Sequence, residues 1–231
     1  MAGQRLLRIL ERLSATGGAQ PSTADLCTLS VDLAGATGAG LMLMSDDLGN
    51  GSLCTSNEVS AQIEELQFTL GEGPCLDAHR AGRPVLEPDL ADPGTPRWFA
   101  FTPPAVQLGA RAVFGFPLRV GAARIGALAL YRDAPGRLSD DEHADTLVMA
   151  DVAAQAVLAI QANAPLGAIA SDLERGAEFH LVVHQASGMV SAQLGVSVGE
   201  GLVRMRAHAF AHETTITEVA GSIVARRLRV A

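Results

Sequence analysis

The chain has 231 residues, 48% of them hydrophobic and 18% charged, and a formal net charge of −8 at pH 7. That length suits two domains, or one domain with an appendage, and so much apolar content excludes intrinsic disorder. The charge is unevenly spread: residues 171–231 hold six arginines against six acidic residues, residues 1–170 hold 11 against 19, and lysine is absent. An acidic body that repels polyanions therefore precedes a neutral module holding four of the six histidines, and any nucleic-acid contact is expected from that module.

No apolar run reaches the roughly 18 residues needed to cross a bilayer. The N-terminus interleaves arginines with leucines instead of placing them ahead of an apolar block, unlike a signal peptide. Three irregularly spaced cysteines, Cys27, Cys54 and Cys75, fit a reduced interior better than a disulfide frame, so a cytoplasmic protein without a membrane partner is expected.

Residues 3–15 read as an amphipathic helix, with Leu6, Leu7, Ile9, Leu10 and Leu13 on one side and Arg5, Arg8 and Arg12 on the other. Ser22 is an N-cap for a second helix. GLMLMSD (40–46) and GSLCTSN (51–57) are strand-like, with turn residues at Asp47–Gly51 between them, and EVSAQIEELQFTLG (58–71) returns to helical period. Residues 71–98, rich in Gly and Pro, read as a loop interrupted by short elements. Residues 97–109 turn helical at their end, with Pro103–Pro104 as a break. RAVFGFPLRV (111–120) and RIGALALYRD (124–133) are apolar strands joined by a Gly-Ala-Ala turn.

Ser139–Glu142 is a capping box that opens a helix running to about Asn163, before Pro165 and Gly167. The same Ser/Thr-x-x-Glu pattern at Ser171, Ser197 and Thr215 makes the last third all-helical. Residues 145–195 are nearly continuous helix that could pair with a second copy, although alanine weakens the heptad. The expected fold is α+β: an antiparallel sheet with flanking helices over residues 1–165, then a three-helix bundle over residues 166–231.

Two resemblances follow from these residues. From about Thr23 to Ala162 the chain resembles a GAF domain, carried by the element order, LGEGPC (70–75), GRPVLEPDL (82–90), FGFPLRVGAARIGALALYR (114–132) and LSDDEHADTLVMADVAAQA (138–156). From about Phe179 to Leu228 it resembles an ANTAR domain, carried by Ala186, Gly188, Met189 and Val190, by LGVSVGEGLVRMRAHAF (194–210) and by ITEVAGSIVARRL (216–228). Two residues depart from that pattern: Ser187 stands where a basic residue is usual, and Gly201 where an alanine is expected, at a propensity cost of about 1 kcal/mol. The pairing implies an RNA-binding transcription antitermination regulator, a homodimer whose GAF domain senses a small-molecule effector or dimerises and whose bundle binds terminator or antiterminator hairpins. It implies no enzymatic step.

The helical registers place the chemistry. In the first bundle helix Phe179, Val182, Val183, Ala186, Val190 and Leu194 share an inner face, and His180, His184, Ser187 and Ser191 form a polar stripe. In the second, Val198, Leu202, Met205 and Ala209 point inward while Arg204, His208 and His212 line an outer face; Phe210 is expected in the core. In the third, Ile216, Val219, Ala220, Ile223 and Val224 point inward, and Ser222, Arg226 and Arg229 outward. Arginine suits phosphate by its forked donors and bases by its planar face, so the RNA-binding candidates are His184, Ser187, Arg204, Arg206, His208, Arg226 and Arg227. Of the two central arginines Arg204 is the stronger candidate, because Arg206 beside Met205 could instead brace the bundle. His180/His184 and His208/His212 have the i, i+4 spacing of zinc ligands but no neighbouring carboxylate or cysteine, so no metal is expected.

In the first domain Gly71–Cys75 lacks the Gly-Lys-Ser/Thr ending of a phosphate loop, and its glycines are read as shaping a loop over the sheet. Met42, Met44, Cys75, Phe114 and Phe116 are candidates to line a ligand site between sheet and loops, with core packing as the alternative for each. His79 is a lone histidine, and no cofactor is assigned. The competing functional class is a redox or small-molecule-binding GAF protein, similar to the methionine sulfoxide reductases, with Cys54 and Cys75 as a thiol pair and a tail that only dimerises.

Overall fold

A computed structural model describes residues 2–15, 22–45, 49–92, 97–163, 168–212 and 214–230, with 168–180 described in backbone only. Nine helices and five strands follow among them: α1 (Ala2–Ala15), α2 (Thr23–Ala34), β1 (Gly38–Ser45), β2 (Gly49–Thr55), α3 (Glu58–Leu70), α4 (Pro74–Ala81), β3 (Val85–Glu87), α5 (Thr102–Gln107), β4 (Ala112–Val120), β5 (Ala123–Arg132), α6 (Asp140–Asn163), α7 (Ala168–Leu194), α8 (Val198–Ala211) and α9 (Ile216–Val224).

The strands form one antiparallel sheet in the order β2-β1-β5-β4-β3. Pairing of Val120 with Ala123 leaves a two-residue turn, Gly121-Ala122, with Gly121 at φ 60°, so Ala123 belongs to β5. Strand alternation divides the core. Leu41, Phe114, Phe116, Leu118, Leu128 and Leu130 face α1, α2 and α6, whereas Met42, Met44, Ala127, Ala129 and Val113 face α3, α4 and α5.

Local signals explain where the helices begin. Ser22, Ser197 and Thr215 cap α2, α8 and α9, each answered by the carboxylate three residues on, and Ser139 with Glu142 closes the same box before α6. Ser171 lies inside α7, so the pattern there starts no helix. Pro103 and Pro104 sit in the first turn of α5, where a missing N–H costs nothing; they begin that helix instead of breaking it. The Asp47 turn and the Pro165–Gly167 interruption lie outside the described residues.

α1 packs differently from its sequence pattern. Ile9 and Leu13 are buried, while Arg5 and Arg8 reach across to Asp141 and Asp145 of α6, and Arg12 pairs with Asp32. Leu6, Leu7 and Leu10 are left in solvent. α6 is long and apolar enough over Asp140–Ile160 to cross a membrane by length and hydropathy. In this fold Met149, Ala150, Val152, Ala153 and Ala154 belong to the sheet core.

The reading of the cysteines is corrected. Cys27 on α2 and Cys54 on β2 form a disulfide, which pins a sheet-edge strand to the covering helix, and Cys75 is a buried free thiol. The proposed pair of Cys54 and Cys75 does not exist. Spacing cannot reveal a bridge of two cysteines 27 residues apart.

α7, α8 and α9 close a bundle around Val183, Ala186, Val190, Met205, Ala209, Ile216, Val219, Ala220 and Ile223. The bundle rests on the sheet domain: α7 runs along β2, α8 meets α3, and Phe68 of α3 enters the bundle core.

Candidate functional site

The bundle presents most of its basic residues to solvent. Arg226, Arg227 and Arg229 are exposed, and Arg204 and His208 are half-buried. α9 ends in a turn where the Arg227 and Leu228 amides both donate to the Ser222 carbonyl, with Arg226 left-handed at φ 58°, and this turn carries the three terminal arginines. Among the described residues no ion pair involves a bundle arginine. In the sheet domain Arg5, Arg8, Arg12, Arg97, Arg111 and Arg132 have acidic partners, whereas the exposed Arg80, Arg83, Arg119, Arg124 and Arg137 have no ion pair among the described residues. Glu200, one turn before Arg204, has its pKa lowered chiefly by hydrogen bonds from Ser197, with a smaller contribution from the Arg204 charge.

Three positions depart from expectation. Ser187 is buried and its hydroxyl donates to the His184 carbonyl at 2.9 Å, so no RNA reaches it. Gly201 has a structural cause: a Cβ there would stand 2.8 Å from the Ser187 carbonyl oxygen. The two departures from the ANTAR pattern are thus one feature, the point where α7 and α8 cross closely. Arg206 turns toward the sheet domain, donating to the Phe68 carbonyl through Nε and Nη2. Burial, aided by the like charge of Arg80, lowers its pKa to about 10, which leaves it cationic at neutral pH.

Phe210, expected in the core, is 66% exposed, on one stripe with Val203. Met205 and Ala209 already fill the inner face of α8. Val198 and Leu194, read as inward, are also exposed. The His208 and His212 rings stack at 4.0 Å, and burial and then the neighbouring charge lower the pKa of His208. Burial lowers that of His184 as well, so both histidines are biased toward the neutral form. The side chains of Phe179 and His180 lie outside what the structure describes. Among the described residues no group of three metal-ligating side chains comes together.

The five ligand candidates of the sheet domain are not gathered into one site. Met42, Met44 and Cys75 pack together beneath α4. Phe114 and Phe116 point through the opposite face toward α2 and α6. Every residue from Ala112 to Leu118 is buried, so apolar pattern alone could not tell one face from the other. Burial raises the Cys75 thiol, with the Glu64 charge adding to the effect, so it is no thiolate nucleophile.

Beneath α3 lies a small cavity lined by Gly38, Gly40, Ser60, Gln67, Pro74 and Tyr131, among others, with room of about 10 Å³ for one water. Gln67 in its lining and Glu64 next to Gly40 are two buried polar side chains that sequence reasoning missed. Glu64 is 3% exposed, neither of its oxygens has a full hydrogen-bond partner, and burial, only partly opposed by Ser52, pushes its pKa up to about 8. Gln67 accepts from the Cys75 amide at 2.8 Å and leaves its own Nε2 unpartnered. Gly40 admits the Glu64 carboxyl, since a Cβ there would stand 2.0 Å from Oε1. The Gly71–Cys75 loop is shaped as expected: Gly71 caps α3 left-handed, Gly73 takes φ 136°, and Glu72 accepts from the Ala100 and Phe101 amides.

Comparison with known proteins agrees with the sheet domain. The GAF domain model matches residues 23–161, more than half of the chain, and the chain belongs to the GAF family. The GAF domain of an Acinetobacter phosphoenolpyruvate-protein phosphotransferase is 13% identical, with a TM-score of 0.53 over 71% of this chain and 96% of that one. Its counterpart from Coxiella burnetii is 20% identical, with a TM-score of 0.52 over 69% and 96%. At these identities the likeness is one of fold. A type II free methionine-R-sulfoxide reductase from Thermoplasma acidophilum aligns at a TM-score of 0.45 and 17% identity over 66% of this chain and 94% of that one, too low to carry an argument about chemistry. A search of curated proteins found no match.

Proposed function

We propose that the protein is an RNA-binding regulator of transcription termination, in which the GAF domain senses an effector or pairs two copies and the C-terminal bundle, similar to an ANTAR domain, binds hairpin RNA. One observation carries this reading. Arg204, Arg226, Arg227 and Arg229 reach solvent on the neutral module similar to an ANTAR domain, with no ion pair among the described residues. Arg80, Arg83, Arg119, Arg124 and Arg137 of the sheet domain are likewise unpaired among the described residues but sit on the acidic part of the chain. Unneutralised guanidinium groups on an otherwise acidic chain suit phosphate and base edges. The exposed Phe210 adds a stacking surface for an unpaired base. Leu6, Leu7 and Leu10 on α1 and Leu147 on the neighbouring α6 are exposed, which supports pairing of two copies.

The thiol-based alternative has no specific support, since Cys54 is bonded to Cys27 and Cys75 is buried. Ultraviolet cross-linking in the host, followed by peptide mapping, tests the proposal. RNA adducts are expected on peptides spanning Arg204–Phe210 and Arg226–Arg229. Adducts confined to residues 23–161, or none, contradict it.

A further inference from the structure

The bundle is seated on the sheet domain through one of its own cationic residues. α3 ends at Leu70, and Arg206 of α8 reaches that end, its Nε and Nη2 donating to the Phe68 carbonyl at 3.2 and 2.9 Å. The guanidinium carbon stands 5.9 Å from the centre of the Phe68 ring. Gly71, left-handed at φ 69°, leaves room for it; a Cβ there would lie 2.8 Å from Nη1. Phe68 is 1% exposed and belongs to the bundle core. One turn earlier Glu65 accepts from the hydroxyl of Thr217 on α9, closing the seat from the other side.

This arginine is poorly matched to its place. A guanidinium has five N–H donors, and a carbonyl and a ring face are a weaker match than a carboxylate or phosphate. Among the described residues it has no acidic partner, and the charge that bears on it is the like charge of Arg80. A phosphate oxygen pair would satisfy it better than the Phe68 carbonyl does. Arg206 cannot serve both, because its fork is turned into the seam between the domains.

We infer that an RNA phosphate and the Phe68 carbonyl compete for Arg206, so that seating of the bundle on α3 and full binding of RNA exclude each other. This rests on the RNA-binding reading above and adds its regulation: the seated form is the restrained one. Linkage makes the effect reciprocal, so RNA unseats the bundle and weakening the seat tightens RNA binding. Glu64, one turn before Phe68, and Gln67 beside it are buried on the same helix, so a change there reaches the seat through a single rigid element.

The test uses the full chain and its Phe68→Ala, Thr217→Ala and Arg206→Ala variants, titrated with a pool of RNA hairpins of randomised loop. Hydrogen exchange of residues 65–71 reports the seat. Phe68→Ala and Thr217→Ala should speed exchange and tighten RNA binding, by about fivefold or more for Phe68→Ala. Arg206→Ala should speed exchange yet weaken binding, and RNA added to the parent should itself speed exchange. Seat variants that exchange faster while their RNA affinity stays unchanged or falls overturn the competition, as does slower exchange when RNA is added. If parent and seat variants all exchange as expected but bind no hairpin, the RNA-binding reading itself falls. Should Phe68→Ala fail to fold, Thr217→Ala and the exchange response to RNA decide.

Discussion

Replacing Gly201 with alanine sets two effects of known size against each other. On an unhindered helix the substitution stabilises by about 1 kcal/mol, because glycine loses more backbone entropy on folding. At this position the new Cβ would stand 2.8 Å from the Ser187 carbonyl oxygen, 3.4 Å from the Ser191 nitrogen and 3.5 Å from the Val190 Cβ. The closest atom is backbone, so no side-chain rotation relieves it. Ordinary carbon–oxygen contacts lie at about 3.3–3.6 Å, so α7 and α8 must part by roughly half an ångström or more. That opens the core of Val190, Met205 and Ala209. Such overpacking costs about 1–3 kcal/mol, which leaves a net loss of about 0–2 kcal/mol after the propensity gain. Gly221 in α9 is the control, with nothing within 4 Å of its Cβ position, so Gly221→Ala should stabilise by up to about 1 kcal/mol. Urea unfolding reads both as shifts in midpoint at constant slope. If Gly201→Ala stabilises as much as Gly221→Ala, the close crossing of α7 and α8 is wrong.

Other expectations follow from the sheet domain. Burial raises Glu64 to about 8, so the folded protein keeps a proton that the unfolded chain releases above its ordinary pKa of 4.5. That stabilisation is complete below about pH 4.5 and is lost as the pH rises through 8. Glu64→Gln mimics the neutral form: it should match the parent at pH 5 and exceed it by several kcal/mol at pH 9, at about 1.4 kcal/mol per unit across the window. Denaturant midpoints that run parallel from pH 5 to 9 contradict this. Cys54→Ser removes the bridge from α2 to β2 and should cost about 3 kcal/mol, with dithiothreitol doing the same to the parent; a melting temperature indifferent to reductant argues against the bridge. Cys75, buried and with a raised pKa, should resist a thiol reagent until the protein unfolds, and rapid labelling of the native protein would show an open path to it.

Much of this fold was legible because its signals are local. Ser22, Ser139, Ser197 and Thr215 mark helix starts by reciprocal hydrogen bonds that need no tertiary partner. The paired strands β4 and β5 showed in their apolar runs. What failed depends on which neighbour a side chain meets. Arg5 and Arg8 looked solvent-facing because their partners are nearly 140 residues away. Glu64 and Gln67 drew no notice within the helical period of residues 58–71, and only the glycine at position 40 shows why a carboxyl fits against the sheet. At the candidate RNA surface the sequence located the module and its bases, but not their allegiance: Arg206 serves the seam, Ser187 the helix crossing, and Phe210 the solvent. A register argument cannot rank inner and outer faces when alanine occupies both.

On the function proposed above, the half-buried Arg204 and the exposed Arg226 and Arg227 bind RNA phosphate. The most direct measurement is hairpin-RNA affinity as a function of salt for the parent and for a variant carrying Arg204→Ala, Arg226→Ala and Arg227→Ala. Binding should be weaker at every salt concentration and the log–log salt slope shallower by about 2–3, at about 0.7–0.9 for each phosphate no longer neutralised, with the folded fraction unchanged. Equal affinity and equal slope for the two proteins would contradict it.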